Sequence, residues 1–495
     1  MGNRNRRGCN VFDIRMGEVH NRGIERYWEK AGAVMGHEMR DKQEYRKIMM
    51  QEEPVSRLIP RMAIPTIVAF LITSIYNLAD TYFVSSLGTN ATAAVSVNAS
   101  LDQIIMMAGS MLAVGANSYI ARLLGAKKEE YASRVLSVAF YLAFAFGAVV
   151  LIFGSVFMTP MVRLLGATPT CEQYAIDYAT YVLLVAPFMA CNFVMNQCLR
   201  AEGSATLSMI GMAAGGILNC FLDPIFIFAL DMGVAGASLA TAISKMVSFA
   251  ILVFPYLSRR SLLKISLRQF KPNLDILSQI VTVGSSSLLR SGLAVVSAIV
   301  LNNIAGDISD SVLAGIGVTN RVMMFPFGVI LGIGTGFQPV VGFNWGARRY
   351  DRVMESYRFA SKMALVIAVV MSVGLAVFAN QTISLFGEGD AYMREIGALA
   401  IRLQCLAMPI HAWVAIVNMF CAGLGRAKGA MLLSTARQGT CFLPIVGVMA
   451  RLGGAYGVAA VQAVADVLTL FLALPLIRYV LRQIRETEAA AQVEL

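Results

Sequence analysis

The chain has 495 residues, of which 57% are hydrophobic and only 14% charged, with a formal net charge of +11. Average soluble domains carry about 25% charged residues, so this composition excludes an ordinary soluble protein and defines a polytopic membrane protein. The basic residues sit in alternate loops rather than in one patch or arm, which makes them orientation signals and argues against nucleic acid as a partner.

In chain order, residues 1–56 are polar, mixed in charge and lack the apolar run of a signal peptide. A cytoplasmic segment is expected there, with Met16, Met35 and Met39 as alternative initiators and a short surface helix between about Arg40 and Leu58. Twelve apolar stretches follow, each near or above the roughly 20 residues needed to cross a bilayer. They are 58–84, 92–120, 132–157, 173–199, 206–230, 234–257, 276–304, 311–342, 354–379, 393–421, 430–452 and 455–480. Loops after even-numbered crossings hold Lys127 and Lys128, Arg200, the run Arg259 to Lys271, Arg348 to Arg352, and Arg426 with Lys428; the others hold little beyond Arg163, Arg394 and Arg451. The positive-inside rule then places both termini in the cytoplasm of a cell inner (plasma) membrane.

The basic loop SRRSLLKISLRQFKPN divides the spans into an N-terminal lobe, 57–257, a linker, 258–275, and a C-terminal lobe, 276–481, with a cytoplasmic tail at 482–495. The halves are related: Gly125-Ala126-Lys127-Lys128 recurs 221 residues later as Gly346-Ala347-Arg348-Arg349, and the same shift carries Gly115 onto Gly336 and Gly166 onto Gly387. With one residue of slippage Asn196 falls on Asn418. Each unit has an even number of spans, so the copies share one topology about an axis along the membrane normal. The fold class expected is all-α integral membrane, twelve transmembrane helices in two six-helix lobes related by pseudo-two-fold symmetry.

The repeat fails at two acids. Asp80 in the first span falls opposite Leu301 and Asp223 in the fifth opposite Leu443, so these carboxylates are not part of the shared scaffold. An acid within a span is costly and marks a cavity, a partner or a permeating ion. Asn219 and Asp223 are four apart in NCFLDP and so share a helix face, and Pro224 leaves the Cys220 carbonyl without its helical donor. Asp80 lies eight residues before Gly88, Asp223 eight before Asp231 and Thr241 eight after Gly233, which puts all three about 12 Å below the outer surface at 1.5 Å rise per residue. Two carboxylates, an amide and a hydroxyl are hard oxygen ligands suited to H⁺ or Na⁺. Tyr76 and Asn77, one turn before Asp80, are candidates for the same network. Asp102, Arg290, Arg321, Arg402, Arg437 and Asp466 are further charges inside the spans, and Asp466 is expected to pair with Arg290 or Arg321. The eight cysteines show no CxxC pair and read as small core residues, so neither a disulfide framework nor a metal centre is expected.

The segments EEPVSRLIPRMAIPTI, IYNLADTYFVSSLGTNATAAV, the NxxxDP of Asn219 to Pro224 and the two GA(K/R)(K/R) loops carry a resemblance. Over roughly Glu52 to Arg482 the chain resembles the multidrug and toxic compound extrusion (MATE) family, in particular its prokaryotic branch related to the DNA-damage-inducible F proteins and staphylococcal-type multidrug exporters. That resemblance implies an antiporter of amphipathic organic cations against H⁺ or Na⁺. It implies a cation site at Asp80, Asn219 and Asp223, completed by Thr241, and a bend of the first helix at Pro65. The coupling ion aside, no cofactor and no obligatory protein partner is implied. A flippase of lipids or lipid-linked saccharides from the same superfamily is the alternative. No P-loop, HExxH or GxSxG motif is present, which argues against an enzyme or a self-contained ATP-driven pump.

Overall fold

A computed structural model describes residues 43–258, 260–385 and 390–493. Cys9, the three alternative initiators, Arg259 and Gly387 lie outside the described residues. Helix α1, 43–52, precedes the first span. The N-terminal lobe contains α2 (Val55–Ser85), α3 (Thr89–Gly125), α4 (Glu129–Val156), the short α5 (Met158–Leu164), α6 (Glu172–Ala201), α7 (Ala205–Pro224) and α8 (Gly233–Leu257). The C-terminal lobe contains α9 (Leu274–Ile308), α10 (Asp310–Gly346), α11 (Tyr350–Val377), the short α12 (Ala379–Ser384), α13 (Ala391–Gly423), α14 (Ala427–Thr435) and α15 (Phe442–Val493).

Eleven described helical segments are long and apolar enough to cross a membrane, and the last of these, Ala427–Ala491, runs for 65 residues. A straight helix of that length would extend roughly 100 Å, three times the hydrocarbon thickness. It breaks at Gly454, whose φ of 52° is left-handed and open to glycine at no steric cost. Twelve crossings result, all α-helical, in two lobes. Local chemistry starts several of them: the side chains of Asn273, Ser309 and Asp390 accept hydrogen bonds from the backbone N–H of Ile276 (2.7 Å), Val312 (3.2 Å) and Met393 (3.0 Å), capping α9, α10 and α13.

The repeat seen in the sequence is a repeat of contacts. Asn196 Nδ2 donates to the Ser208 carbonyl at 3.2 Å, and Asn418 Nδ2 donates to the Ala430 carbonyl at 3.2 Å. Lys127 and Arg348 turn their loops with φ of 59° and 58°. A β-carbon on Gly125 would lie 1.9 Å from the Phe343 carbonyl oxygen, and one on Gly346 would lie 1.9 Å from the Arg122 carbonyl oxygen. The two lobes thus seat a glycine of each on a carbonyl of the other.

These inter-lobe contacts loosen with distance from the basic loops. A β-carbon would lie 2.0 Å from the facing backbone at Gly115 and Gly284 and 2.7 Å from the nearest atom at Gly332 and Gly336, but 3.2 Å from Met107 at Gly292 and 3.9 Å from Phe70 at Gly328. The lobes therefore meet at the basic end and part toward the other. The closed end is bolted by polar contacts. Arg349 Nη1 donates to the Gln51 carbonyl at 2.7 Å, Arg352 Nη2 to the Glu53 carbonyl at 2.9 Å, and Arg122 Nη2 to Gln279 Oε1 at 3.0 Å. The Tyr119 and Tyr131 hydroxyls both donate to Asp275, at 2.7 and 2.9 Å.

The inter-lobe loop is held against the N-terminal lobe. Glu202, 1% exposed, accepts from the Ser261 hydroxyl at 2.5 Å and the Leu262 N–H at 2.9 Å. Helix α1 grips the same loop: Gln43 donates to the Ser261 carbonyl at 2.8 Å and Arg46 to the Arg260 carbonyl at 3.2 Å. Arg200, counted in the sequence as a loop cation, is instead buried at 1% exposure, donating to Ser208 Oγ at 3.0 Å and to Asn196 with its guanidinium 5.8 Å from the Phe70 ring centre. Its position at the end of α6 lets it fold back and tie α6 to α7.

Candidate functional site

Three helices of the N-terminal lobe carry the candidate residues. α2 supplies Asp80 and Tyr76, α7 supplies Asn219 and Asp223, and α8 supplies Thr241. α2 runs without interruption past Pro60 and Pro65, whereas α7 ends at Pro224 and gives way to a π-helical turn, Ile225–Ala229. That wider turn follows from the carbonyl that proline leaves without a donor.

Asn219 is the bridge. Its Nδ2 donates to Asp223 Oδ1 at 3.0 Å and to Thr241 Oγ1 at 3.3 Å. Asp223 is fully buried and Asn219 2% exposed. The remaining acceptors have no donor: Asp80 Oδ1, Asp223 Oδ2 and Asn219 Oδ1 are buried and unpartnered. Buried acceptors of this kind cost free energy until a proton or a cation satisfies them. Hard oxygens without donors suit H⁺ or a small alkali cation.

The positions opposite these acids in the repeat are apolar contacts. Leu301, opposite Asp80, is 8% exposed and packs in the C-terminal lobe's core, and Leu443, opposite Asp223, packs against the same core. The two lobes share a scaffold, and at these two positions the acids of the N-terminal lobe are replaced by leucines in the other.

Sequence reasoning missed a second tier. Lys245 Nζ donates to the Tyr76 hydroxyl at 2.9 Å and stands 5.1 Å from the centre of its ring. Asn192 Nδ2 donates to the Lys245 carbonyl at 3.1 Å, and its Oδ1, like Asp102 Oδ1, is buried and unpartnered. The available signal was a lone lysine in TAISKMVSFA, four residues after Thr241 and so on its face. Asn77 lies exposed on α2 and is not brought into this network.

In the C-terminal lobe the expected pairing of Asp466 is corrected. Its partner is Arg437, at 2.7 Å, and not Arg290 or Arg321. Arg437 belongs to a π-helical turn, Ala436–Thr440, whose altered register swings it toward α15. Arg290 donates to Ser287 Oγ at 3.1 Å instead, and Arg321 is exposed.

A two-lobed bundle of twelve membrane-crossing helices, closed at one end and with a polar cluster inside one lobe, is the architecture of a secondary transporter that works between two lobes. The MatE family model matches residues 65–225 and 287–446, one match in each lobe, and the chain belongs to that family. It is 27% identical over 457 residues to the multidrug export protein MepA of Staphylococcus aureus strain N315, covering 92% of this chain and all of the relative. Its structure is similar to that of a multidrug resistance MATE family transporter of the MOP superfamily in an outward-facing conformation, with a TM-score of 0.84, 26% identity, and coverage of 89% of this chain and 98% of the other. A MATE structure in the straight conformation matches with the same TM-score of 0.84 and 26% identity over 89% of this chain and 99% of that one.

Proposed function

We propose that this protein is a secondary active multidrug exporter that exchanges amphipathic, cationic organic compounds for H⁺ or Na⁺ by alternating access. It sits in the inner (plasma) membrane with both termini in the cytoplasm, and needs no cofactor beyond the coupling ion. The observation that carries this reading is the Asn219 bridge between Asp223 and Thr241, with buried, unpartnered oxygens on Asp223, Asn219 and Asp80, at acids that the repeat does not carry into the second lobe. The kinship with MepA, a multidrug export protein, supports the export of drugs.

A coupling ion drives a conformational change only through its different affinity for the two states. Here the lobes meet at the basic end, so the state described opens away from the cytoplasm. Cation uptake at Asp80 and Asp223 then favours release of substrate to the outside, and bending of α2 at Pro65 couples the site to the space between the lobes.

The test is dye efflux from proteoliposomes with H⁺ and Na⁺ gradients imposed separately. Efflux follows one gradient in the wild type and falls to the passive leak in Asp80→Asn and Asp223→Asn. Gradient-driven efflux surviving in both variants returns the acids to a structural role. The lipid or lipid-linked saccharide flippase is separated in the same vesicles by a fluorescent lipid analogue, whose translocation the exporter reading excludes.

A further inference from the structure

Arg290 is a charge in the middle of a span with no described counter-charge. It lies sixteen residues from the start of α9 at Leu274 and eighteen from its end at Ile308, about 24 and 27 Å along the helix. Its guanidinium makes one described hydrogen bond, to Ser287 Oγ at 3.1 Å. No described carboxylate forms a salt bridge with it. The 221-residue shift places Arg290 opposite Ala69, which is fully buried, so this cation, like the acids of the other lobe, is not part of the shared scaffold.

The helix face it occupies is the inward one. Val283 and Ser297, seven residues to either side and so on the same face, are 1% and 2% exposed. Val281 and Ile299, nine residues to either side and so on the opposite face, are exposed. Along α9 the contact with α3 of the other lobe loosens at this level. A β-carbon on Gly284 would lie 2.0 Å from the Met111 carbonyl oxygen, the Ser287 hydroxyl donates to Ser110 Oγ at 3.4 Å, and a β-carbon on Gly292 would lie 3.2 Å from Met107. Arg290 therefore stands where the two lobes begin to part. Its side chain is half-buried, and its other nitrogens, which have no described acceptor, are not sealed from open space.

We propose that Arg290 is a carboxylate-binding site of the C-terminal lobe and holds the anionic group of a zwitterionic substrate. This rests on the exporter reading and deepens it. A guanidinium near the middle of a bilayer is costly unless paired, and a single serine hydroxyl accepts from one donor without cancelling the charge. The planar fork of an arginine matches the two oxygens of a carboxylate, and the hydrogen bond to Ser287 fixes its aim. The resulting pair has no net charge, which a poorly screened interior favours. A lipid phosphate is excluded by depth, since head groups lie about 15 Å from the midplane of a bilayer. The cationic end of the same compound finds its counter-charges in the acids of the N-terminal lobe.

The experiment uses a rhodamine with a free carboxylate and its ethyl ester, which share one cationic ring system and differ in the carboxylate. KM for gradient-driven efflux from proteoliposomes is measured for each dye. Wild type takes the acid with a KM about tenfold below that of the ester, the effect of one charge-assisted contact. In Arg290→Gln the two KM values converge, and in Arg290→Lys, which keeps the charge and loses the fork, the gap is intermediate. A gap that is the same in wild type and Arg290→Gln overturns the proposal and leaves the exporter reading standing, because both dyes are then still exported. Absence of gradient-driven efflux for both dyes in the wild type overturns the exporter reading and the zwitterionic substrate with it. Binding judges the site apart from transport and from whether a variant folds: fluorescence polarisation of the two dyes with purified wild type, in chloride and in gluconate at equal ionic strength. Tighter binding of the acid in both salts is expected. Equal affinities overturn the proposal, and a preference that appears only in gluconate assigns Arg290 to a small free anion and overturns it as well.

Discussion

Asn219 holds the candidate site together more than either carboxylate beside it. One amide nitrogen serves both Asp223 and Thr241, and a hydrogen bond to a charged group contributes about 1.5–3 kcal/mol. The amide donor favours the ionised Asp223, so Asn219→Ala is expected to shift the apparent affinity for the coupling ion by about 10- to 100-fold, tighter for H⁺ and weaker for Na⁺, while Thr241→Ala, which removes one acceptor, has a smaller effect. Titration of efflux rate against the driving ion measures both, and equal effects would contradict the bridging role. At the same scale, Arg437 and Asp466 are 16% and 4% exposed in their side chains. Removing one partner of a buried pair strands the other, at a cost of about 3–5 kcal/mol. Arg437→Met should lower Tm in detergent, and adding Asp466→Leu should restore part of the loss. Of these contacts, that of Asn219 with Asp223 was legible from four-residue spacing and that with Thr241 from depth. The partner of Asp466 was not, because a π-helical turn shifts the register that a 3.6-residue count assumes. Lys245 escaped notice for a different reason: the failing repeat singled out acids, and the cation beside them leaves the same trace only as one lysine in an apolar run.

The boundary between α6 and α7, with the loop and α1 docked against it, responds to pH. Burial pushes the Glu202 carboxyl from 4.5 up to about 7, against the lowering effect of the Ser261 and Leu262 hydrogen bonds and the Arg46 charge. A carboxyl raised in the folded state is stabilised there in its neutral form. Its contribution is complete below about 4.5 and is lost as pH rises through about 7. The loss is of order 3 kcal/mol when deprotonation is complete. Wild-type Tm should fall as pH rises from about 6 to 8, and Glu202→Gln should flatten that slope; parallel slopes in the two proteins would argue against Glu202 as the group responsible. Hydropathy located the helices to within several residues, since each span must be apolar to cross a bilayer. The docking of α1 and of the loop against Glu202 was not legible, because the contacts are between backbone carbonyls and side chains far apart in the chain.

At the scale of the whole molecule, the closed end joins the lobes through Arg349, Arg352 and a set of glycine-to-carbonyl contacts. Arg349→Ala with Arg352→Ala removes the two arginine bonds to the Gln51 and Glu53 carbonyls. Hydrogen exchange in residues 43–52 and at the start of α2 should then rise, with the core of α6 unchanged. Unaltered exchange would show that the glycine contacts alone hold the face shut. Two-lobed topology was legible because loop charges and the 221-residue shift repeat independently of any side-chain contact. The parting of the lobes away from that end was not, since it depends on how closely two backbones approach.

The reciprocal seating of Gly125 on Phe343 and of Gly346 on Arg122 bears on what the linker is for. A contact that each half makes with the other about one axis is the contact two identical half-length chains make as a homodimer. It needs no covalent connection. The seating does not pass through residues 258–273, whose Ser261 and Leu262 hold Glu202 and whose Asn273 caps α9. A gene cut within that loop is expected to encode two partners that recognise each other, which makes the fusion of the two halves a means of fixing their ratio.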